Sequence, residues 1–144
     1  MTTEEAAKKS KPIPVPNELT APFWDAAKEH RLAIQRCRKC GYYNHPPKPL
    51  CDRCASEELA FEAVSGKGKI YSYTFMRQRN VPGFEDDVPY LNVIIELDEQ
   101  PQLFMITNLR GAGAEQIKIG QRVEVVFEEI AGGLMLPQFK PANR

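Results

Sequence analysis

Cys37-Arg38-Lys39-Cys40-Gly41 and Cys51-Asp52-Arg53-Cys54-Ala55, with ten residues between Cys40 and Cys51, are the stretches around which the rest of this chain is read. Two Cys-x-x-Cys pairs can form two turns whose sulfurs converge on one ion. A tetrahedral metal with metal–sulfur distances of ~2.3 Å needs that convergence, and four thiolates close its shell, leaving no position for water or substrate. Zinc is the first choice because it is redox-inert, and an iron ion would accept the same ligand set. Two disulfides, or a site that has lost its metal, are the alternatives. In a reducing compartment two close pairs read as ligands. His45 lies between the pairs, and with four sulfurs already filling the shell it is expected to be an ordinary surface histidine. A segment so short and so rich in Arg, Lys and Pro has little core of its own, and metal binding can supply on the order of 10 kcal/mol toward ordering it.

Outward from the cysteines, Leu32–Gln35 reads as a strand entering this metal ribbon and Leu59–Val64 as the strand leaving it. The ribbon is assigned residues 32–60. Before it, residues 17–31 form a helix of about three turns, with Thr20 as its cap, Pro22 in the first turn and an apolar start at Phe23 and Trp24. Phe23 and Trp24 suit docking on a partner; packing within the same chain is the alternative. Residues 1–16 mix charge with Pro12, Pro14 and Pro16 and read as a flexible or extended arm. After Gly66 short strands alternate with turns, at Lys69–Arg77, Tyr90–Leu97, Leu103–Asn108, Arg122–Glu129 and Leu134–Phe139. Five strands suit an OB-type barrel over residues 61–144. Leu91, Val93, Ile95 and Leu97 alternate with period two, as do Val123, Val125 and Phe127, so each strand has one buried face. Pro137 lacks a ladder donor and places the last strand at an edge. The fold class is therefore mainly β.

Nineteen acidic residues balance nineteen basic ones, so no long-range field draws polyanions or membranes. Met1 to Lys11 is polar, and no stretch approaches the roughly 20 apolar residues of a membrane span, which predicts a cytoplasmic protein. No catalytic residue is assigned: His30 and His45 have no evident nucleophile beside them, and Asp86, Asp87, Asp98 and Glu99 fall in loops and turns where a solvated role is expected. Tyr71, Tyr73 and Phe75 share one face of a strand by period, which is either a stacking platform for single-stranded nucleic acid or part of the barrel filling. From Phe61 to Arg144 nine Lys or Arg face eleven Asp or Glu, so the basic groove that tracks phosphates is missing. Arg79 to Tyr90 is a long loop with Phe84 near its tip. Phe84 and Tyr90 are candidates for contact with a partner or a substrate channel.

From about Pro14 to Ala142 the chain resembles the acyl-CoA-associated family catalogued as domain of unknown function number thirty-five. The resemblance rests on Thr20-Ala21-Pro22-Phe23-Trp24, the run Leu32 to Gly41, Pro46-Pro47, Ser65 to Thr74, Val88-Pro89-Tyr90, Glu96 to Glu99 and Leu136 to Pro141. Asp52 stands where the family often has proline, and Ala55 where it often has glycine. The resemblance implies a rubredoxin-like zinc ribbon ahead of an OB-fold. It also implies an accessory role beside a thiolase-like aldolase of the sterol-carrier type, whose own residues would cleave a CoA thioester by a retro-aldol reaction in steroid side-chain degradation. On that reading the partners are the aldolase subunit in a hetero-oligomer and, through it, the CoA substrate, with no nucleic acid and no membrane. A single-stranded nucleic-acid module and a stand-alone acyl-CoA binder are the other readings.

Overall fold

A computed structural model describes residues 11–78, 82–111 and 116–142. Most of the expected arm, residues 1–10, and Arg79, Asn80 and Val81 of the long loop lie outside the described residues. The first regular element is helix α1 (Ala21–Lys28), eight residues and so about two turns where three were expected. Thr20 is its N-cap, but the hydroxyl does not cap the helix. It accepts from the Asn17 N–H at 3.0 Å, while Asn17 Oδ1 accepts from the Thr20 N–H at 2.9 Å. The helix stops in a Schellman turn: Arg31 N–H reaches Ala26 O at 3.0 Å and His30 N–H reaches Ala27 O at 2.9 Å. His30 takes the left-handed position with φ 60°, and its ring stacks on Phe127 at 5.4 Å. Phe23, Ala26 and Ala27 form the buried stripe, spaced i, i+3, i+4.

The ribbon is a three-stranded antiparallel sheet in the order β2-β1-β3, built from β1 (Ala33–Cys37), β2 (Tyr43–Asn44) and β3 (Leu59–Ala63). β2, two residues long, was not foreseen. The larger sheet holds the five expected strands, β4 (Lys67–Met76), β5 (Tyr90–Leu97), β6 (Phe104–Asn108), β7 (Arg122–Ile130) and β8 (Leu134–Pro141), in the order β6-β5-β4-β7-β8. It curls into the OB barrel because β6 returns to β8. Leu109 bridges Phe139 in parallel, and Arg110 N–H donates to Phe139 O at 2.8 Å. The buried side chain of Gln138 seals the same seam, its Oε1 accepting from Asn108 N–H at 2.9 Å and from Thr107 Oγ1 at 2.5 Å. Edge strand β8 carries Pro137, as expected, opposite Phe127.

Strand β5 has the expected alternation: Leu91, Val93, Ile95 and Leu97 are all buried, and their chain neighbours are not. The aromatic row of β4 departs from its simple period. The register slips between Ile70 and Ser72, where Tyr71 is the extra residue of a bulge. Opposed residues of an antiparallel ladder share a face, so Tyr73 and Phe75 lie on the side of Val93 and Leu91; Phe75 packs against the core, while Tyr73 stays 40% exposed. Tyr71 instead meets Phe104, with ring centroids 4.5 Å apart. The three rings therefore do not form one platform.

Ribbon and barrel share one apolar core. Phe23, Leu32, Ile34 and Tyr43 are continuous with Ile70, Leu91, Val93, Ile95, Val123 and Phe139 of the barrel. The ribbon thus has more apolar support than its composition suggests, and each fully buried side chain of this kind contributes roughly 1.5–3 kcal/mol. Helix α1 reinforces the joint by packing on β1, β3 and β8. Polar clamps set the relative placement. Gln100 exchanges two hydrogen bonds with the Tyr43 backbone, at 2.9 and 3.1 Å, and Glu99 Oε2 accepts from Ser65 N–H at 2.8 Å. At the barrel entrance Gly66 has φ +76°, and a Cβ there would lie 2.4 Å from Val125 Cγ1, so the hinge into β4 admits no side chain.

Candidate metal centre and barrel cavity

The two cysteine pairs sit on two similar turns. Gly41 N–H bonds Cys37 O and Ala55 N–H bonds Cys51 O, each at 2.9 Å. Both turns close through a left-handed residue, Gly41 at φ 81° and Ala55 at φ 63°. The alanine therefore holds the geometry that glycine would supply without strain. Backbone N–H groups also point at sulfur: Cys40 N lies 3.4 Å from Cys37 Sγ, and Arg53 N lies 3.4 Å from Cys51 Sγ.

All four sulfurs, of Cys37, Cys40, Cys51 and Cys54, lie within 4.8 Å of one another. The Cys37–Cys54 and Cys40–Cys51 sulfur pairs are 3.6 Å apart. A disulfide requires ~2.05 Å, and tetrahedral coordination at ~2.3 Å places ligand sulfurs ~3.8 Å apart. The spacing fits the metal and excludes the disulfides. Cys37 and Cys51 are buried and Cys40 is at the surface.

Electrostatics follow from crowding four thiols. The Cys40 backbone N–H is the main influence that lowers the Cys37 thiol. At Cys51 burial raises the thiol, but the Cys54 and Arg53 backbone amides with the Asn44 side chain outweigh it and bring it to about 6. At Cys54 the Ser56 backbone amide lowers the thiol, yet burial and the other three sulfurs push it up to about 12. Without a cation the cluster cannot carry four negative charges, and a divalent ion supplies the compensation. Zinc bound by these four residues would be structural, because its shell would be full.

His45 is not the surface residue expected from the sequence. Its ring packs against Phe23 at 5.7 Å, and burial lowers its pKa to about 4. Phe23 is likewise turned inward, 8 % exposed, with Trp24 edge-on to it at 5.1 Å. Of the two helix aromatics offered to a partner, Phe23 therefore fills this chain's own core, while Trp24 is half-buried.

Phe84 and Tyr90 come together at the second feature, an open cavity of about 900 Å³ at the barrel mouth. Their ring centroids are 6.0 Å apart. Residues other than Phe84 and Tyr90 complete the walls. Lys11 lies 5.2 Å from the Phe84 ring centroid and 2.5 Å from Asp87 Oδ2, and Arg110 Nη2 donates to Glu128 Oε1 at 3.0 Å. They come from four distant segments, so no local pattern marks them. Among the described residues no helix is long and apolar enough to cross a membrane.

A four-thiolate ribbon joined to a closed five-stranded barrel defines the class, a rubredoxin-like zinc ribbon with an OB-fold. The family models agree: residues 24–60 match the ChsH2 rubredoxin-like zinc ribbon domain, and residues 61–128 match the ChsH2 C-terminal OB-fold domain. The chain belongs to the DUF35 family. It is 33% identical over 124 residues to a DUF35 domain-containing scaffold protein of Pyrococcus furiosus, covering 82% of this chain and 88% of that one. It is 36% identical to a chain of a solved Ltp2–ChsH2(DUF35) aldolase, with a TM-score of 0.80, covering 90% of this chain and 98% of that chain. Two longer relatives also match. One is a probable enoyl-CoA hydratase alpha subunit of Thermomonospora curvata, 38% identical over 97% of this chain; the other is the 3-oxo-4,17-pregnadiene-20-carboxyl-CoA hydratase alpha subunit of Mycobacterium tuberculosis, 34% identical over 75% of it. This chain spans 43% and 33% of their lengths.

Proposed function

We propose that this chain is a non-catalytic accessory subunit of a thiolase-fold acyl-CoA enzyme, a cytoplasmic retro-aldolase that shortens steroid side chains held as CoA thioesters. The observation that carries this reading is the match to nearly the whole of the aldolase chain. The pregnadiene-CoA name of the mycobacterial relative supports the steroid substrate, and the family resemblance supports the thiolase fold of the partner. The chemistry is assigned to that partner, because the metal site of this chain, when filled, has no open position for a substrate. The cavity walled by Phe84 and Tyr90 would then extend the partner's substrate channel or brace its wall.

Co-expression with a thiolase-fold companion from the same source tests the proposal. The expected result is one co-eluting species on gel filtration with aldolase activity that neither protein shows alone; two separate species would overturn it. Within such a complex Trp24→Ala and Tyr90→Ala are expected to weaken association by roughly 30-fold each, the usual loss at a buried aromatic anchor, with metal content unchanged. Single-stranded oligonucleotides are expected not to bind at low salt, since the barrel's aromatic row is split and its charge is acidic.

A further inference from the structure

Residues 11–14, part of the stretch that reads as an arm in the sequence, line the cavity of about 900 Å³ at the barrel mouth. Two contacts fix them there. Lys11 Nζ pairs with Asp87 Oδ2 and lies over the Phe84 ring, both in the loop between β4 and β5. Ile13 Cγ2 comes within 3.8 Å of the place that a Cβ on Gly132 would take, in the turn between β7 and β8. Pro12 and Pro14 hold φ at about −65°, so the strap between these contacts has little freedom left to lose.

The wall completed by this strap is apolar, and its charges are already spent. Ile13, Phe84, Tyr90, Ile130 and Leu136 line it. Among the described residues its cations are Lys11 and Arg110. Asp87 neutralises the first, both carboxylate oxygens of Glu128 hold the second, and Asp86 adds a further acid to the lining. The amides are committed too: Gln138 Oε1 accepts from the Asn108 N–H and the Thr107 hydroxyl, and Asn108 Nδ2 donates to Leu91 O at 3.0 Å. An anion entering here would give up its hydration without meeting an unpaired cation. A neutral apolar group would cover Ile13, which is 46% exposed, and could lie against the Phe84 and Tyr90 rings. The volume is that of a small-molecule site, roughly 300–1,000 Å³.

We propose that residues 11–14 and the barrel mouth together form a binding site for the neutral polycyclic body of a ligand, with Ile13 as a specificity-determining residue and with carboxylates and phosphates turned away. This deepens the channel reading given above, on which the choice of a steroid skeleton rests: the acyl body enters this chain, and the anionic CoA moiety stays outside the cavity.

Methyl NMR on the full, metal-loaded chain without a companion tests the site with progesterone, a neutral steroid. A steroid carboxylate of the same ring system and free coenzyme A serve as comparison ligands. Saturable shifts of the Ile13, Ile130 and Leu136 methyls with progesterone are the expected result, with the carboxylate roughly tenfold weaker and coenzyme A leaving these methyls unmoved. No saturable shift at Ile13 with progesterone, or equal binding of the carboxylate, would overturn the assignment. Ile13→Asp is expected to weaken progesterone roughly tenfold. Asp87→Asn, which releases the Lys11 cation, is expected to raise affinity for the carboxylate by roughly threefold while progesterone is unaffected; unchanged affinities in both variants would also sink the idea. The titration of the wild-type chain needs no variant to fold. It needs no companion either, so a negative titration beside intact co-elution would refute the site alone, and lost co-elution beside positive titration would refute the accessory role alone.

Discussion

Ala55 shows how a single residue can obey the site at a cost to itself. At φ 63° it sits where an L side chain is disfavoured by roughly 1–2 kcal/mol. Glycine would remove that strain but would give the unfolded chain more freedom, worth about 0.4–1 kcal/mol. Relief wins by a small margin. Ala55→Gly is thus expected to stabilise the folded state by up to about 1 kcal/mol, raising the melting temperature by a few degrees; a lower melting temperature by calorimetry would contradict the strain argument. His45 illustrates a different residue-level effect, since burial favours its neutral ring. Its folded pKa, about 4, lies below the ordinary value of 6.5. The unfolded chain therefore gains the proton first as pH falls. The stability tied to neutral His45 is complete above about pH 6.5, declines through the window and is gone below about pH 4. NMR titration should show a midpoint near 4, and His45→Gln should flatten that part of the stability profile. An imidazole midpoint near 6.5 would refute the burial argument.

Among the elements, the β6–β8 seam decides whether the larger sheet is open or a barrel. A parallel bridge and one amide side chain close it. Gln138→Ala would leave the Asn108 N–H and the Thr107 hydroxyl without their shared acceptor. The Thr107 hydroxyl can turn to Asn108 O, 3.2 Å away, so one idle donor, the Asn108 N–H, predicts a loss of about 1–3 kcal/mol in urea unfolding. A loss below 1 kcal/mol would show that the seam is held elsewhere. The strand β5 was readable in advance because a two-residue period needs only local sequence. β2 was not, for two residues carry no period, and its pairing depends on β1 already lying beside it. The bulge at Tyr71 was equally hidden. Its aromatic alternation is intact in the sequence, and only the register against β5 shows that the face changes partway along.

For the whole molecule, the ribbon and the barrel cannot be treated as independent when the metal is withdrawn. Phe23, Leu32, Ile34 and Tyr43 belong to one core with the barrel strands. Stripping the ion with a strong chelator is expected to lower the melting temperature of the entire chain in calorimetry. A barrel transition that stays at its original temperature while ribbon signals vanish would disprove the coupling. The same continuity explains why Phe23 points inward. The helix that carries it bridges β1, β3 and β8, and its apolar stripe is consumed in that joint.

The four cysteines, the ribbon and the number of the barrel strands and their places along the chain were legible in the sequence, because each rests on spacing or periodicity within a few residues of chain. The convergence of the sulfurs at 3.6 Å, the inward turn of Phe23 and His45, and the cavity walls were decided by the tertiary structure. These depend on segments distant in sequence meeting in space. No local pattern encodes such choices.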